Sequence, residues 1–260
     1  MIEPMIIAIH EAQHMGRTYQ HPPLIEALCE IQFAPDTPWD LVSPGLIYEQ
    51  VRAGFPLRRP GRAIALNVSQ AGQGIGQEIQ IVDRVQFLRA DEQAMIQVGP
   101  QLLVVNQLNP YPSWAMFRPL IAMALDAHGR VIVPTGIHRV GLRYINRIVF
   151  SQPRILLEDY FEVYPKLGPQ LPTDHGTFVV GLQFAFADGR DALTLKLQTA
   201  TPERTGEVVV SLDLDYFLTI PSAVTVDSVM EWVDAAHVQV EQVFEASITD
   251  ALRAQFGVLR

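Results

Sequence analysis

The residues in this sequence best suited to chemistry are two histidines and a glutamate near the start of the chain. His10-Glu11-Ala12-Gln13-His14 is an H-E-x-x-H string. On a helix, histidines at i and i+4 share one face and can bind zinc, while the glutamate activates a water molecule for hydrolysis. A zinc protease also needs a third ligand held in a scaffold, and none follows at a recognisable spacing. His10, Glu11 and His14 are therefore a weak metal candidate, and we expect no metal centre.

Arginine side chains are the second group of candidates, because guanidinium groups bind phosphate and carboxylate groups. Arg58 and Arg59 lie in residues 57–77, a stretch rich in Arg, Gly and Gln. This composition predicts a loop with one strand at residues 64–68. Two interpretations stay open for the two arginines. They contact an anion such as an RNA backbone, or they are solvated and offset the charge of nearby acids.

Arg143 and Arg147 belong to a more regular pattern. Residues 140–150 alternate in the manner of a strand, with Arg143 and Arg147 on one face. The other face carries Leu142, Tyr144, Asn146, Ile148 and Phe150. Two arginines on one face of a central strand are costly unless they meet water, acids or a ligand. We predict that they line an accessible groove that binds a partner, or that they form ion pairs with internal acids.

Other kinds of site are weakly represented in the sequence. No Ser-His-Asp or Cys-His set is recognisable, and no nucleotide-binding motif suggests a cofactor, so we expect none. Asp213 and Asp215 share one strand face and could bind a metal together, although paired acids on a solvated face are commoner. Cys29 is the single cysteine and lies in an apolar strand, which indicates a small buried side chain.

The elements that must position these residues occur twice in the same order. Residues 27–33 and 140–150 each read as a strand, and each is followed by a short helix that ends at an aromatic-Pro pair. The second short helix is predicted at residues 156–164. Strand-like runs and an amphipathic helix complete each copy. The fold class predicted is α+β: a tandem pseudo-repeat of β-α-β-β-(β)-α units, with antiparallel sheets and helices packed on one face.

The domain organisation follows from this repeat. We expect a flexible leader at residues 1–20, a first α+β half at 21–135 and a second at 136–260, sharing one core or a close interface. The second half ends in a long helix with apolar residues at helical spacing from Val229 to Ile248. Ser228 opens a capping-box pattern, and Gly257 suits the position after the helix end.

Composition limits the classes of function. The chain has 260 residues and a formal net charge of −9, which disfavours a general nucleic-acid binder because that class needs a basic surface. No apolar run is long enough to cross a bilayer, so no membrane association is expected. The amino-terminal stretch lacks the basic residues of a signal peptide, and we expect a cytoplasmic protein.

Three ordered motifs resemble a known family. They are Pro22-Pro23-Leu24-Ile25-Glu26-Ala27 leading into Glu30-Ile31-Gln32-Phe33, then Gly141-Leu142-Arg143-Tyr144-Ile145-Asn146-Arg147-Ile148, and Val243-Phe244-Glu245-Ala246-Ser247-Ile248-Thr249-Asp250. The family is a sporadically distributed prokaryotic one of similar length, and the resemblance covers residues 19–257. It carries no established catalytic residues to transfer. Its patchy occurrence implies an accessory role, in a mobile or defence-related system.

The function expected from these observations is that of a non-enzymatic interaction protein, an adaptor or complex subunit that binds another protein. Two alternatives stay open besides the metalloprotease. One is an RNA-binding or RNA-processing protein of tandem ferredoxin-like type, an inference from fold analogy alone. The other is a small-ligand binder with a cavity between sheet and helix. A homodimer is a further open alternative.

Overall fold

The computed structural model describes residues 17–71, 74–172 and 176–259. The elements of the first half are β1 (Leu24–Phe33), α1 (Ser43–Val51), β2 (Leu57–Ala71), β3 (Gly74–Leu88), β4 (Ala94–Gly99), β5 (Leu102–Leu108) and α2 (Trp114–Gly129). The elements of the second half are β6 (Ile137–Phe150), β7 (Val179–Phe186), β8 (Asp191–Ala200), β9 (Val208–Leu218), α3 (Val229–Ser247) and α4 (Asp250–Phe256).

All strands in these ranges belong to one nine-stranded sheet. Their order is β2-β3-β4-β5-β1-β6-β9-β8-β7, and every neighbouring pair is antiparallel. The first strand of each half, β1 or β6, lies in the middle, and the two pair directly with each other. The predicted mixed α and β content, antiparallel pairing and long C-terminal helix are confirmed, and the two halves share a single sheet.

The two sides of the sheet differ in chemistry. Along β1, Cys29 and alternate residues are buried, and Cys29 pairs with buried Leu142 of β6. We call this side the apolar face. It meets α2 where the Phe33 ring stacks on His128 with ring centres 4.4 Å apart. The opposite side, which carries Glu30 and Arg143, is named the polar face. Burial raises the pKa of the Cys29 thiol to about 12, in agreement with the small buried side chain predicted there.

Asp191 connects α3 to the second half of the sheet. Its carboxylate accepts hydrogen bonds from Trp232 Nε1 of α3 at 2.9 Å and from the Tyr216 hydroxyl of β9 at 3.0 Å. Arg190 Nη2 donates a third at 2.6 Å. The side chain of Asp191 is almost completely buried. A buried carboxylate is tolerated when its lone pairs are satisfied and a cation is close, and these three donors meet both conditions.

The short helix predicted at residues 156–164 is wrong. Only one 3₁₀ turn, Leu157–Asp159, is present there. The segment between Pro153 and Pro165 instead packs on the core through buried Phe161, whose backbone forms a bridge with Ile248. Its backbone bonds go elsewhere: Glu162 N–H donates to Ser247 O, and Thr249 N–H donates to Tyr160 O.

The C-terminal helix is interrupted, whereas one helix reaching Gly257 was predicted. Ile248 is extended, with φ −119° and ψ 150°, because its backbone forms a bridge with Phe161. The chain then restarts as α4, where Thr249 Oγ1 accepts from Leu252 N–H. The capping box is also absent, since the Ser228 hydroxyl bonds to Thr225 rather than to the first turn of α3.

The predicted loop at residues 57–77 is wrong as well. Residues 57–71 form β2 and residues 74–77 begin β3, and the two strands pair from Leu57↔Leu88 to Ala71↔Gly74. The ladder hydrogen bonds join backbone groups, so a stretch rich in Arg, Gly and Gln can pair as strands despite its loop-like composition. Arg58 and Arg59 therefore lie on a strand, and neighbouring strand residues point to opposite faces.

Residues 17–20 pack against the C-terminus, although the sequence assigns them to a leader. Tyr19 forms a backbone bridge with Val258, and its hydroxyl donates to Glu245 Oε1 at 2.5 Å. The H-E-x-x-H string lies outside the described residues. In the described part of the chain, no helix combines the length and apolar character that crossing a membrane requires.

Replacement of Asp191 should be among the most destabilising single changes in the sheet. Asp191→Ala leaves the Arg190, Tyr216 and Trp232 donors without an acceptor, and we expect a loss of about 3–5 kcal/mol in unfolding free energy. Urea denaturation measures it. The control is Asp126→Ala, which removes an exposed ion pair with Arg130 and should cost below about 1 kcal/mol. Equal losses for the two variants would contradict this account.

His128 should make stability depend on pH. Burial lowers its pKa to about 4, whereas a histidine in an unfolded chain titrates near about 6.5. The unfolded chain therefore takes up the proton first as the pH falls. One such group lowers the unfolding free energy by about 2 kcal/mol between pH 7 and pH 5.

His128→Phe keeps the ring against Phe33 and removes this titration. We expect the difference in unfolding free energy between pH 7 and pH 5 to shrink by about 2 kcal/mol relative to the unsubstituted protein. His138→Phe, at an exposed position, is the control and should leave the difference unchanged. The explanation fails if both variants show the pH dependence of the parent.

Candidate functional site

The polar face carries charges of both signs at the centre of the sheet. Glu30 comes from β1, Arg139 and Arg143 from β6, and Asp213 and Asp215 from β9. Along each strand the like charges are two or four residues apart, so they point to the same side. The register sets Arg143 directly opposite Asp215 and places Glu30 opposite Gly141. Sheet pairing alone therefore brings acids from two strands against the arginines of the strand between them.

Arg143 forms the strongest of these contacts. Its Nε donates to Asp213 Oδ1 at 2.7 Å, and its Nη2 donates to Asp213 Oδ2 at 2.5 Å. This two-bond fork is the arrangement in which a guanidinium and a carboxylate bind each other best. The hydrogen bonds to Asp213 are the main cause that raises the pKa of Arg143. Arg143 is therefore held in one orientation on the surface of the sheet.

Arg139 bridges the two halves of the molecule. Nη1 lies 3.3 Å from Glu30 Oε1, and Nη2 lies 3.3 Å from Asp215 Oδ2. The guanidinium also lies over the Phe217 ring, 4.7 Å from its centre. Gly141 makes room for it, since a Cβ there would lie 3.0 Å from Arg139 Nη1. The absence of a side chain at residue 141 thus allows Arg139 to lie flat across the strand.

A cavity of about 230 Å³ opens between these side chains. It is lined by Leu28, Glu30 and Gln32 of β1, by Arg139 and Arg143 of β6, and by Asp215 of β9. Burial raises the pKa of Asp215, against the lowering effect of the two arginines. Two guanidinium groups and two carboxylates balance in formal charge, so the cavity offers donors and acceptors without a field of one sign. It is suited to binding polar groups.

A row of side-chain amides runs from one edge of the sheet towards this cavity. Arg59 Nε donates to Gln86 Oε1 at 2.7 Å, and Gln86 Nε2 donates to Gln97 Oε1 at 3.0 Å. Gln97 Nε2 donates to Asn106 Oδ1 at 2.9 Å, and Asn106 Nδ2 donates to Glu26 Oε1 at 2.7 Å. We call Gln86, Gln97 and Asn106 the amide row. Each amide donates to the next acceptor, so the row holds these side chains in fixed positions on the polar face.

The four arginines predicted from sequence do not form one site. Arg143 lines the cavity. Arg147 is on the same face but points to the connection after β8, with Nη2 3.4 Å from Thr201 O and 3.2 Å from Glu203 Oε1. Arg58 lies over the Tyr48 ring of α1 at 4.7 Å, on the apolar side of β2. Arg59 stands at the start of the amide row.

Sequence reasoning missed Arg139 and Glu30 and left Asp213 and Asp215 unassigned. A signal was present: β6 carries Arg139 and Arg143 on one face, and β9 carries Asp213 and Asp215 on one face. Opposite charges at matching spacing indicate two strands that pair. Which strands pair, however, depends on the sheet order. Asn146, on the apolar face, helps to fix β6 against β9, because its Nδ2 donates to Leu212 O at 3.1 Å.

A second polar cluster lies inside the molecule, between α2, α3 and β6. The His237 ring stacks on Trp114 with ring centres 4.0 Å apart, and its Nδ1 lies 2.9 Å from the Tyr144 hydroxyl. Burial lowers the pKa of His237 to about 4, so the ring is neutral at pH 7 and can accept the tyrosine proton in a hydrogen bond. The cluster joins a helix of the first half to a helix and strand of the second. We interpret it as a structural contact that holds the two halves together.

Metal chemistry has no support in the described ranges, where no group of three or more His, Cys, Asp and Glu side chains is arranged to hold an ion. His10, Glu11 and His14 fall outside those ranges. The cavity at the centre of the polar face, where side chains of β1, β6 and β9 converge, is the candidate site.

Comparison with known proteins adds no assignment to this geometry. No protein-family model matches the chain, and no curated protein is significantly similar to it in sequence. The polar face is consequently interpreted from its own residues.

Proposed function

We propose that this chain is a non-enzymatic interaction protein that binds another protein through the polar face of its sheet. The observation that carries the proposal is the accessible cavity at the sheet centre, where Arg139 and Arg143 meet Glu30 and Asp215. Protein interfaces are enriched in arginine and make about one hydrogen bond per 100–200 Å². A surface on which donors and acceptors are held in place loses little conformational entropy on binding.

The charge pattern favours a protein over a nucleic acid. A phosphate backbone needs unpaired cations along its path, whereas Arg143 is held by Asp213 and Arg139 lies between Glu30 and Asp215. The net charge of −9 adds a general repulsion. Arg58 and Arg59, the arginines that an RNA-binding role would favour, point to opposite faces of β2. A protein partner, which presents both donors and acceptors, matches the mixed surface better.

The amide row extends the proposed surface beyond the cavity. Gln86, Gln97 and Asn106 cross three strands and end at Glu26. Their amide groups are chemically similar to the peptide groups of a partner. Asn106 is buried and anchors the row, whereas Gln86, Gln97 and Gln32 are half-buried and offer polar groups on the β1 side of the cavity.

We also propose that the two halves are structural repeats with their helices on one side of the sheet. The strand order supports a repeat, since outward from the centre it is β1, β5, β4, β3 in one half and β6, β9, β8, β7 in the other, with β2 as an additional edge strand of the first half. Contacts of α1, α2 and α3 with Phe87, Phe33 and Tyr144 support the common side, because these three residues belong to the apolar face. This arrangement would leave the polar face open to a partner.

Membership of the sporadically distributed prokaryotic family is likewise a proposal, supported by the three ordered motifs. The central motif forms β6, and Arg143 within it lines the cavity. In this proposal the protein acts in the cytoplasm as an adaptor or subunit of an accessory system, mobile or defence-related. The family supplies no activity that would change the proposed role.

A small polar ligand is the second candidate, and the cavity itself favours it. Its volume of about 230 Å³ is below the 300–1,000 Å³ typical of drug-sized ligands. Balanced opposite charges would suit a small zwitterion such as a free amino acid. Thermal-shift measurements with free amino acids at millimolar concentration distinguish this role, because a protein-binding surface should show no stabilisation.

Substitution of the two cavity arginines should reduce partner capture while the variant stays folded, with a lower melting temperature because buried Asp213 loses its guanidinium partner. We expect the double variant Arg139→Gln with Arg143→Gln to capture at least tenfold less partner from extracts of the native host, because the charge pairs that shape the cavity are lost. Affinity purification with quantitative mass spectrometry measures the capture, and the melting curve checks the fold.

The matched control is Arg118→Gln on α2 with Arg130→Gln just after it, since the ion pairs of these arginines with Asp234 and Asp126 are exposed. This control makes the same chemical change away from the polar face and should keep full capture. If the cavity variant captures the same proteins in the same amounts as the control, the proposed surface is wrong. Lost capture with a collapsed melting curve would assign the arginines a structural role instead.

A further inference from the structure

The two edges of the sheet are built differently, and β7 is the less protected one. Its sequence, Val-Val-Gly-Leu-Gln-Phe-Ala-Phe, has no charged residue and no proline. The exposed fractions of Val179, Leu182 and Phe184 are 66%, 41% and 39%. Among the described residues, no strand pairs with the outer side of β7. A neutral, apolar edge strand of this kind readily pairs with another chain.

The opposite edge strand, β2, carries residues that prevent pairing with another chain. β2 begins Leu-Arg-Arg-Pro-Gly-Arg, with three arginines and a proline in its first six residues. Charged side chains and proline are the usual means by which proteins prevent edge-to-edge association. The protein thus protects the β2 edge with residues that β7 lacks.

The free backbone groups of β7 can be assigned from its pairing with β8. Thr199 N–H donates to Phe178 O, and the register is regular from Val179↔Gln198 to Phe186↔Asp191. Residues of an antiparallel strand alternate between bonding to one neighbour and to the other. The outward-pointing N–H and C=O groups therefore belong to Val179, Gly181, Gln183 and Ala185. None of these side chains is charged, and Gly181 and Ala185 are small.

We propose that β7 pairs antiparallel with β7 of a second copy of this chain, forming a two-fold symmetric dimer with one continuous sheet. In a register centred on Gln183, the two Gln183 residues exchange backbone hydrogen bonds. Leu182 then lies opposite Phe184 of the partner subunit, on the apolar side. The dimer leaves the polar face of both copies accessible, so it is independent of the binding role proposed for that face.

Self-complementarity identifies the occupant as a second copy. Val180, Leu182, Phe184 and Phe186 share the side of the sheet that carries buried Leu193 and Leu195. A strand added to this edge must present apolar side chains on that same side and uncharged ones on the other. β7 itself has this pattern, and a two-fold axis perpendicular to the sheet keeps corresponding faces together. The outward-pointing backbone groups of the two β7 strands then hydrogen-bond to each other.

Blocking variants of β7 test the dimer by sedimentation and light scattering of the full chain. Gln183→Pro removes an outward-pointing N–H without removing a bond to β8. Gly181→Lys with Gln183→Lys places two ammonium groups opposite each other across the axis, and a Cβ at Gly181 meets no atom within 4 Å. We expect the parent at twice its chain mass of 29.0 kDa and both variants at the single mass, with at least a hundredfold weaker association.

The control is Ala235→Lys with Gln239→Lys on α3, which adds the same charge away from β7 and should stay dimeric. If Gln183→Pro does not fold, the variant Gly181→Lys with Gln183→Lys tests the dimer instead. A parent that is monomeric at 100 µM overturns the proposal, as does a dimer that survives in the folded edge variants.

A crosslink tests the register. The natural Cys29 is buried, so Gln183→Cys introduces the one accessible thiol of the described chain. A short bismaleimide should convert this variant to a covalent dimer in high yield, whereas Ala235→Cys should stay uncrosslinked. Equal crosslinking of both variants would overturn the proposed pairing.

Discussion

The pairing of β1 with β6 is the interaction on which the rest of the structure depends. These strands are the first of each half, and their antiparallel register joins residues more than a hundred positions apart. Without it, each half would have an exposed strand edge and half of an apolar surface. With it, Cys29 meets Leu142 on the apolar face, and Glu30 approaches Arg139 on the polar face. One set of backbone hydrogen bonds thus assembles both the core and the candidate site.

Buried polar groups then define how the other segments attach to this sheet. The Asp191 carboxylate accepts a hydrogen bond from Trp232 of α3, and His237 forms a hydrogen bond with Tyr144 of β6. The Glu245 carboxylate accepts hydrogen bonds from the Tyr19 hydroxyl and from Arg253 Nε. The residues before β1 and those of α4 therefore contact the same carboxylate. Each of these groups would be costly to bury alone and is tolerated because its partner is present. They favour one arrangement of the helices over other packings of similar apolar area.

The two faces of the sheet have different roles. The apolar face contributes burial, which is the main driving force for folding. The polar face buries Leu102 and Val104 of β5 as well, but at the sheet centre it holds paired charges and the amide row around an accessible cavity. The two edge strands also differ in chemistry, since β2 carries arginines and a proline while β7 is neutral and apolar. The partner binding and the dimer that we propose would therefore use separate surfaces.

The sequence by itself determined the local alternation and most of the elements. Strand periodicity in residues 27–33 and 140–150 predicted which side chains are buried, and Asp188-Gly189 is a dipeptide that favours the turn found between β7 and β8. These features depend on neighbouring residues, whose geometry the backbone dictates. The sequence also indicated that Arg143 faces away from the core.

Only the tertiary structure decided which charges meet and where helices end. Arg139 belongs to the site because β1 and β9 flank β6, and no local pattern specifies that sheet order. The helix expected at residues 156–164 is replaced by a bridge to Ile248, and the same bridge divides the C-terminal helix into α3 and α4. Contacts between distant segments override weak local preferences, because burial and pairing outweigh the few tenths of a kcal/mol per residue that distinguish helix formers.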